Sequence, residues 1–189
     1  MSLRSTLAAA VVVVMTLGTA SAGQRTSADV PRGDQTEAQL IRNIQRQVLE
    51  YPHYTVYDSV KMRINGGAVT LLGKVTMPYK RDELEKRIAG VPGVAKVDNQ
   101  ITVLPASKSD DELRVGIAEA IYRHPSFDRY AGLPNPPVHV IVERGRVTLE
   151  GYVDTLSDRL AALSIARSFG SFQVIDELVT PGGKSKSEK

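Results

Sequence analysis

The sequence contains no cysteine and no tryptophan, and only three phenylalanines and three histidines among its 189 residues. Without cysteine the chain forms no disulfide, no thiolate metal site and no cysteine nucleophile. A metal site needs several converging ligands, whereas His53, His124 and His139 are scattered, and His139 falls on the polar phase of a predicted strand. We therefore expect solvated histidines and no metal, and each folded unit must be stabilised by an apolar core or by its neighbour.

An excess of one charge is also lacking. The chain carries 24 basic and 21 acidic side chains, a net charge of +3, without a long block of like charge. Such blocks mark nucleic-acid-binding tails, so we expect no nucleic-acid partner. No G-x-S-x-G, Walker or H-E-x-x-H motif is present. These absences predict a non-enzymatic protein with no catalytic residues and no cofactor, and they leave its oligomeric state open.

One long apolar run is present, and it lies at the N-terminus. It extends from Leu7 to Leu17, follows Arg4 and precedes Ala20-Ser21-Ala22, which fits a cleavage signal. The run is shorter than the about 20 residues that span a bilayer. We expect residues 1–22 to be a cleaved signal peptide, residues 23–35 a polar linker, and the protein to be exported to the periplasm. An uncleaved N-terminal anchor is the alternative.

A motif then occurs twice. The pattern G-x-V-T-L-x-G-x-V begins at Gly67 and again at Gly145, 78 residues later. Internal repetition indicates one structural unit built twice. The second glycine of each motif, Gly73 or Gly151, lies inside a predicted strand, where glycine usually marks a bulge or a close backbone approach. We expect that approach to be made by the second helix of each unit.

Around the motif, both halves show the same order of elements. Predicted capping boxes at Thr36 and Ser109 each precede an apolar stripe with helical spacing. An alternating hairpin, a second helix and a last strand follow, with the first hairpin turn at Asn65-Gly66. Asp82 and Glu83 are predicted in the first turn of the second helix. The stripes comprise Leu40, Ile44 and Val48 in the first half and Leu113, Ile117 and Ile121 in the second.

This order predicts an α+β fold: two tandem two-layer α/β sandwiches, each helix-strand-strand-helix-strand with a three-stranded sheet. Each sheet is expected to be covered on one face only. The predicted domains are 36–105 and 106–181, followed by a disordered basic tail, 182–189. Units of this size are near the lower limit of independent stability, so we expect the two to dock.

These features resemble the BON domain, a small module of bacterial envelope proteins. The resemblance rests on the repeated glycine-valine strand, on the turn from Val91 to Val94, and on the spacing of Val97, Asn99 and Ile101. Repeat two departs from it, with Glu177 at the position of Asn99. The resemblance implies a periplasmic location, an association with envelope stress, and binding to phospholipid surfaces, but no fixed set of functional residues.

Two groups of residues are candidates for a binding site. The densest basic cluster, Lys80, Arg81, Lys86 and Arg87, is a candidate for lipid head groups, although acidic residues interleave it and a solvated helix face is the alternative. The second group lies where repeat two has five extra residues. Its apolar and aromatic side chains either contact a lipid or partner or cap the core; they are Phe127, Tyr130 and Leu133.

The sequence favours a non-enzymatic periplasmic protein that contacts phospholipid membrane surfaces through both modules and supports envelope integrity under stress. One alternative is a periplasmic protein-interaction or chaperone-like factor without direct lipid binding. The small net charge favours this alternative, because a membrane binder without a basic patch is weak. A further alternative is an accessory domain for an enzyme on another chain.

Overall fold

The computed structural model describes residues 36–181, which form two α+β units, repeats one and two. The predicted order helix-strand-strand-helix-strand is confirmed in both. Repeat one consists of α1 Glu37–Leu49, β1 Ser59–Asn65, β2 Ala68–Val75, α2 Pro78–Ala89 and β3 Lys96–Val103. Repeat two consists of α3 Lys108–Arg123, a 3-10 turn Pro125–Phe127, α4 Asp128–Ala131, β4 Val138–Glu143, β5 Arg146–Tyr152, α5 Leu156–Ser168 and β6 Gln173–Val179.

The predicted signal peptide, the linker and the basic tail lie outside the described residues, and the boundary at 105/106 stays a prediction. Within 36–181, no helix has the length and apolar character needed to span a bilayer.

Each repeat contains one three-stranded sheet in which the motif strand is central. The orders are β1-β2-β3 and β4-β5-β6, with the first pair antiparallel and the second parallel. The parallel return requires a crossover, which α2 and α5 supply. The first hairpin turn lies at Gly66-Gly67, one residue later than predicted, because both glycines adopt positive φ (55° and 86°).

The motif glycines mark a close backbone approach, as predicted, but the neighbour is different. A Cβ on Gly73 would lie 2.1 Å from the carbonyl oxygen of Ser59, and one on Gly151 would lie 1.8 Å from that of Pro137. The approaching backbone is therefore the start of the adjacent strand, and the second helix is not involved.

Helix starts follow local hydrogen bonding, with two corrections. The capping box at Thr36 is confirmed, since Thr36 and Gln39 bond each other's backbone N–H groups. The box predicted at Ser109 is wrong: α3 is capped by Ser107. The carboxylate of Asp110, in the first turn of α3, accepts hydrogen bonds from the backbone N–H groups of Arg144 and Gly145 at 2.7 and 2.8 Å. The second helix of repeat one starts at Pro78, so Asp82 and Glu83 lie beyond its first turn.

A separate apolar core fills each repeat between its helices and its sheet. The predicted stripe of α1 is buried, and in α3 Ile117 and Ile121 are buried while Leu113 packs against them more peripherally. Branched aliphatic side chains from the sheets complete both cores. The fully buried members include Ile44, Leu71, Leu84 and Ile88 in repeat one and Ile117, Ile121, Leu149 and Leu178 in repeat two.

The two repeats dock through the polar faces of their sheets. Lys61 of β1 lies 3.0 Å from Glu150 and 2.6 Å from Glu177, and Lys74 of β2 pairs with Glu143. Docking buries Ile141, which is only 2% exposed although it lies on the polar phase of β4. The expected docking is thus present, and the expectation that each sheet is covered on one face only is wrong.

Candidate functional site: a basic cleft in repeat one

The extra segment of repeat two does not present its aromatic side chains at the surface. Phe127 is 0% and Tyr130 1% exposed, and both belong to the core of repeat two, against which Leu133 also packs. The Tyr130 hydroxyl accepts from the N–H of Asp154 at 3.1 Å, and Arg129 stacks over the ring at 4.5 Å. Buried rings cannot touch a membrane or partner in this conformation, so the hypothesis of a contact by Phe127 and Tyr130 is corrected.

The predicted basic cluster is divided by the fold. Lys80 is 5% exposed and donates to Asp58 at 2.7 Å, which makes it part of a buried ion pair. Its assignment to a surface patch is therefore corrected. Arg81 pairs with Asp82 at 2.9 Å on the surface. Lys86 and Arg87 lie further along α2, in the last turn of the helix.

Lys86 and Arg87 line a cleft between α1 and α2, and α1 adds a third cation, Arg46. The cleft has a volume of about 430 Å³ and no carboxylate among its lining residues. Within residues 36–181, none of the three cations lies within 4.0 Å of a carboxylate. The lining residues are Asn43, Arg46, Gln47, Lys86, Arg87, Gly90, Val91 and Pro92.

Arg87 is held in place by an aromatic ring. Its guanidinium lies over the Tyr51 ring at 4.9 Å, a cation–π contact. Its Nε atom is buried and has no hydrogen-bond partner within the described part of the chain. Burial, and secondarily the charge of Glu83, raises the pKa of the Tyr51 hydroxyl, so Tyr51 stays neutral. Arg87 also lines the cleft, and a guanidinium is suited to binding an oxyanion.

The helix ends offset only part of this charge. Arg46, Lys86 and Arg87 lie in the last turns of their helices, where cations interact favourably with the negative end of the helix dipole. Each dipole corresponds to about half a negative charge. Two helix ends therefore offset about one of the three positive charges, and the cleft keeps an excess of about two.

The equivalent surface of repeat two has lost this character. Gly116 and Glu119 of α3 stand at the positions of Asn43 and Arg46, and Ser164 and Ile165 replace Lys86 and Arg87. Phe169, at the position of Val91, lies against Gly116, where an added Cβ would come within 2.8 Å of its ring. In repeat two an aromatic ring therefore occupies the position of the cleft, and the cations of repeat one are missing there. Repeat two can serve as a control for the cleft within the same chain.

Sequence reasoning identified Lys86 and Arg87 but not Arg46 or Tyr51. The signal available was weak, because Arg46 is separated from Lys86 by 40 positions and meets it only through helix packing. Within residues 36–181, no group of three or more His, Asp or Glu side chains is arranged to hold a metal ion. The arrangement of cations and one neutral aromatic ring is suited to binding an anion.

Comparison with known proteins identifies the fold family. A family model described as BON domain matches residues 36–105 and 109–180. A search of curated proteins finds no match. Among solved structures, the chain is similar to the C-terminal domain of CdsD, "the structural protein of the Type III secretion system of Chlamydia trachomatis", with 17% identity and a TM-score of 0.31. That alignment covers 79% of this chain and 67% of the other.

A second CdsD structure from Chlamydia trachomatis is 16% identical, with a TM-score of 0.28, over 75% of this chain and 91% of the other. BON domains are associated with membrane and phospholipid binding and with envelope proteins. Both the repeat detected in the sequence and the two sheets agree with the match to the family model. Since that match covers most of the sequence, this chain belongs to the BON domain family.

Proposed function

We propose that this protein is a non-enzymatic periplasmic protein that binds anionic phospholipid surfaces and thereby supports envelope integrity under stress. The observation that carries the proposal is the cleft of repeat one, where three cations without carboxylate partners surround an open space. A phosphate of a lipid head group matches the guanidinium of Arg87 in charge and geometry.

The affinity expected from this cleft is modest. Each Lys or Arg close to an anionic membrane contributes about 1 kcal/mol, and the contribution decays within a Debye length, about 10 Å at 0.1 M salt. Three cations therefore supply roughly 3 kcal/mol, or about two orders of magnitude in affinity. Binding of this kind is reversible and weakens as salt increases.

The test is flotation of the expected mature chain, residues 23–189, with vesicles of phosphatidylcholine alone or mixed with phosphatidylglycerol. The key variant combines Arg46→Gln, Lys86→Gln and Arg87→Gln. A control combines Lys108→Gln, Arg123→Gln and Arg167→Gln, which removes the same charge from exposed positions of repeat two. The proposal requires flotation with anionic vesicles only, loss of flotation at high salt, and a much larger defect in the first variant. Equal defects in both variants would refute a role for the cleft.

A second candidate function is a protein-interaction or chaperone-like factor without direct lipid contact. Exposed apolar side chains of repeat two favour it, since Phe172 is 83%, Leu156 62% and Leu160 56% exposed. Exposed apolar surface of this kind suits a protein client. This candidate predicts no flotation under any condition, and capture of periplasmic partners that is insensitive to salt and lost on Phe172→Ser.

A further inference from the structure

Of the three histidines, His139 alone is buried, and the docking of the repeats buries it. It lies on β4 of repeat two and is 9% exposed. Its Nδ1 atom lies 2.6 Å from the carbonyl oxygen of Asp58, so Nδ1–H donates to that oxygen. Its ring also lies 5.4 Å from the ring of Tyr54. Both partners belong to residues 50–58, which connect α1 and β1 in repeat one. His139 was expected to be solvated, and this interface is the reason that it is not.

Residues 50–58 also complete the sheet of repeat two. The carbonyl oxygen of Val56 accepts the N–H of Val140 at 2.7 Å. Since the other edge of β4 pairs with β5, this bond lies on the outer edge of the sheet. The side chains of Val56 and Tyr57 pack against the core of repeat two. One connecting segment therefore supplies a strand-edge contact, an apolar contact and the partner of a buried imidazole.

The charged groups that face His139 already have other partners. The Asp58 carboxylate accepts from Lys80 and from both the N–H and hydroxyl groups of Thr55 and Thr76. Glu150 lies opposite His139 on β5 and is engaged by Lys61 and Ser59 of repeat one. Tyr54, whose pKa is raised by its own burial, stays neutral. The carboxylates of Asp58 and Glu150 therefore act on His139 through their charge, while their hydrogen bonds go to other groups.

We propose that residues 50–58 form an acid-sensitive latch between the repeats, which is released when His139 becomes protonated. In the docked state the imidazole is neutral. Burial lowers the pKa of His139 more than the backbone of Asp58 and Thr55 and the charges of Glu150 and Asp58 raise it. After release the ring is solvated and its pKa returns to about 6.5. Protons therefore bind the released state more tightly than the docked one.

The direction in which pH changes the docking equilibrium follows from the difference in the pKa of His139 between the two states. Above about pH 6.5 neither state binds the proton, and docking has its full strength. As the pH falls below that value, the docking equilibrium constant decreases up to ten-fold per pH unit, until the lowered pKa of the docked state is reached. Protonation of Glu143, whose pKa is lowered by its hydrogen bond to Lys74, weakens docking further at still lower pH.

The latch also reaches the basic cleft, a consequence that rests on the proposed function. Tyr51, whose ring supports Arg87, belongs to residues 50–58. Tyr51 itself packs in the core of repeat one, so release loosens the segment next to this ring without displacing the ring. We expect acid to weaken cleft-dependent vesicle binding in the wild type more than in a variant that lacks the titrating histidine.

The direct test is hydrogen exchange at the Val140 amide, followed by NMR without lipid at about pH 7.5 and pH 5.5, corrected for the intrinsic pH dependence. The latch predicts that Val140 loses several-fold to ten-fold protection in acid, while amides in the centre of β2 keep theirs. His139→Gln preserves a donor for the Asp58 carbonyl but does not titrate, so its Val140 protection should be independent of pH. His124→Gln, at a partly exposed histidine outside residues 50–58, should behave as the wild type.

Equal protection of Val140 at both pH values in the wild type would overturn the latch, as would an equal loss in His139→Gln. If His139→Gln does not dock even at pH 7.5, the ring of His139 is titrated directly by NMR in the wild type. A pKa of the His139 ring at or above 6.5 would then overturn the proposal. A lower pKa would support it if the amide signals of Val56 and Val140 shift with the same midpoint. A failure of vesicle flotation leaves these measurements unaffected, so the latch and the proposed function fail separately.

Discussion

Replacing the second motif glycine with alanine tests how the repeated strand is built. Gly151 has φ 114°, a conformation that residues with a side chain rarely adopt. A Cβ would lie 1.8 Å from the carbonyl oxygen of Pro137, which belongs to the backbone and cannot swing aside as a side chain can. The alanine variant must therefore shift the start of β4 relative to β5 and also carry backbone strain.

Two costs are expected in Gly151→Ala. A strained φ costs about 1–3 kcal/mol, and forcing extra volume into a packed site costs about 1–3 kcal/mol more. The sum, about 2–6 kcal/mol, is a large part of the 5–15 kcal/mol that typically stabilises a domain. Urea unfolding monitored by circular dichroism measures the change in free energy of unfolding.

Two further glycines separate strain from collision. Gly170 has φ 68° but open space around its Cβ position, so Gly170→Ala should lose only the strain, about 1–2 kcal/mol. Gly132 has φ −89° and equally open space, so Gly132→Ala should be neutral or slightly stabilising. If Gly151→Ala stays within about 1 kcal/mol of the wild type, or falls no lower than Gly170→Ala, the close approach does not constrain the motif.

Three other substitutions test the assignment of buried and exposed residues. Glu83→Gln removes the carboxylate whose charge reaches Tyr51 beneath Arg87, so flotation with anionic vesicles should strengthen by up to about five-fold; weaker flotation would contradict this. Lys80→Met leaves the Asp58 carboxylate buried without its counter-ion and should cost about 3–5 kcal/mol in thermal unfolding; a loss below about 1 kcal/mol would show that the pair is dispensable. Phe127→Ala should cost about 3–5 kcal/mol through a core cavity, with vesicle binding per folded molecule unchanged; selective loss of binding in a stable variant would restore Phe127 as a contact residue.

Much of the fold follows from short-range patterns. Helical spacing, alternating spacing and a motif that occurs twice predict the elements, because such signals depend on neighbours within a few positions. The cap of α3 was misplaced because Ser107 and Ser109 lie two positions apart and local rules do not separate them. Asp110 lies in the first turn of α3, but its carboxylate binds the N–H groups of Arg144 and Gly145, more than 30 positions away, which no local pattern predicts.

The site was harder to predict, because it depends on tertiary partners. From the sequence, Lys80 is expected to be a surface cation. In the fold it contacts Asp58, which lies 22 positions earlier in the sequence. Phe127 and Tyr130 lie near glycine and proline, a composition typical of exposed loops. The 3-10 turn and α4 nevertheless place both side chains in the core. Lys86 and Arg87 line a cleft only because α1 packs against α2 and places Arg46 near them. His139 of repeat two is buried only because repeat one docks against it.

The most direct measurement is an NMR titration of isotope-labelled residues 23–189 with a soluble short-chain phosphatidylglycerol, with the matching phosphatidylcholine as a reference. Binding in the cleft predicts that phosphatidylglycerol alone shifts signals from residues 43–47 and 86–92, together with the Arg87 side chain. It also predicts that the equivalent positions 116–120 and 164–170 of repeat two stay unchanged. Shifts of the same size in both repeats, or shifts concentrated around Phe172 with either lipid, would contradict an anion-binding cleft in repeat one.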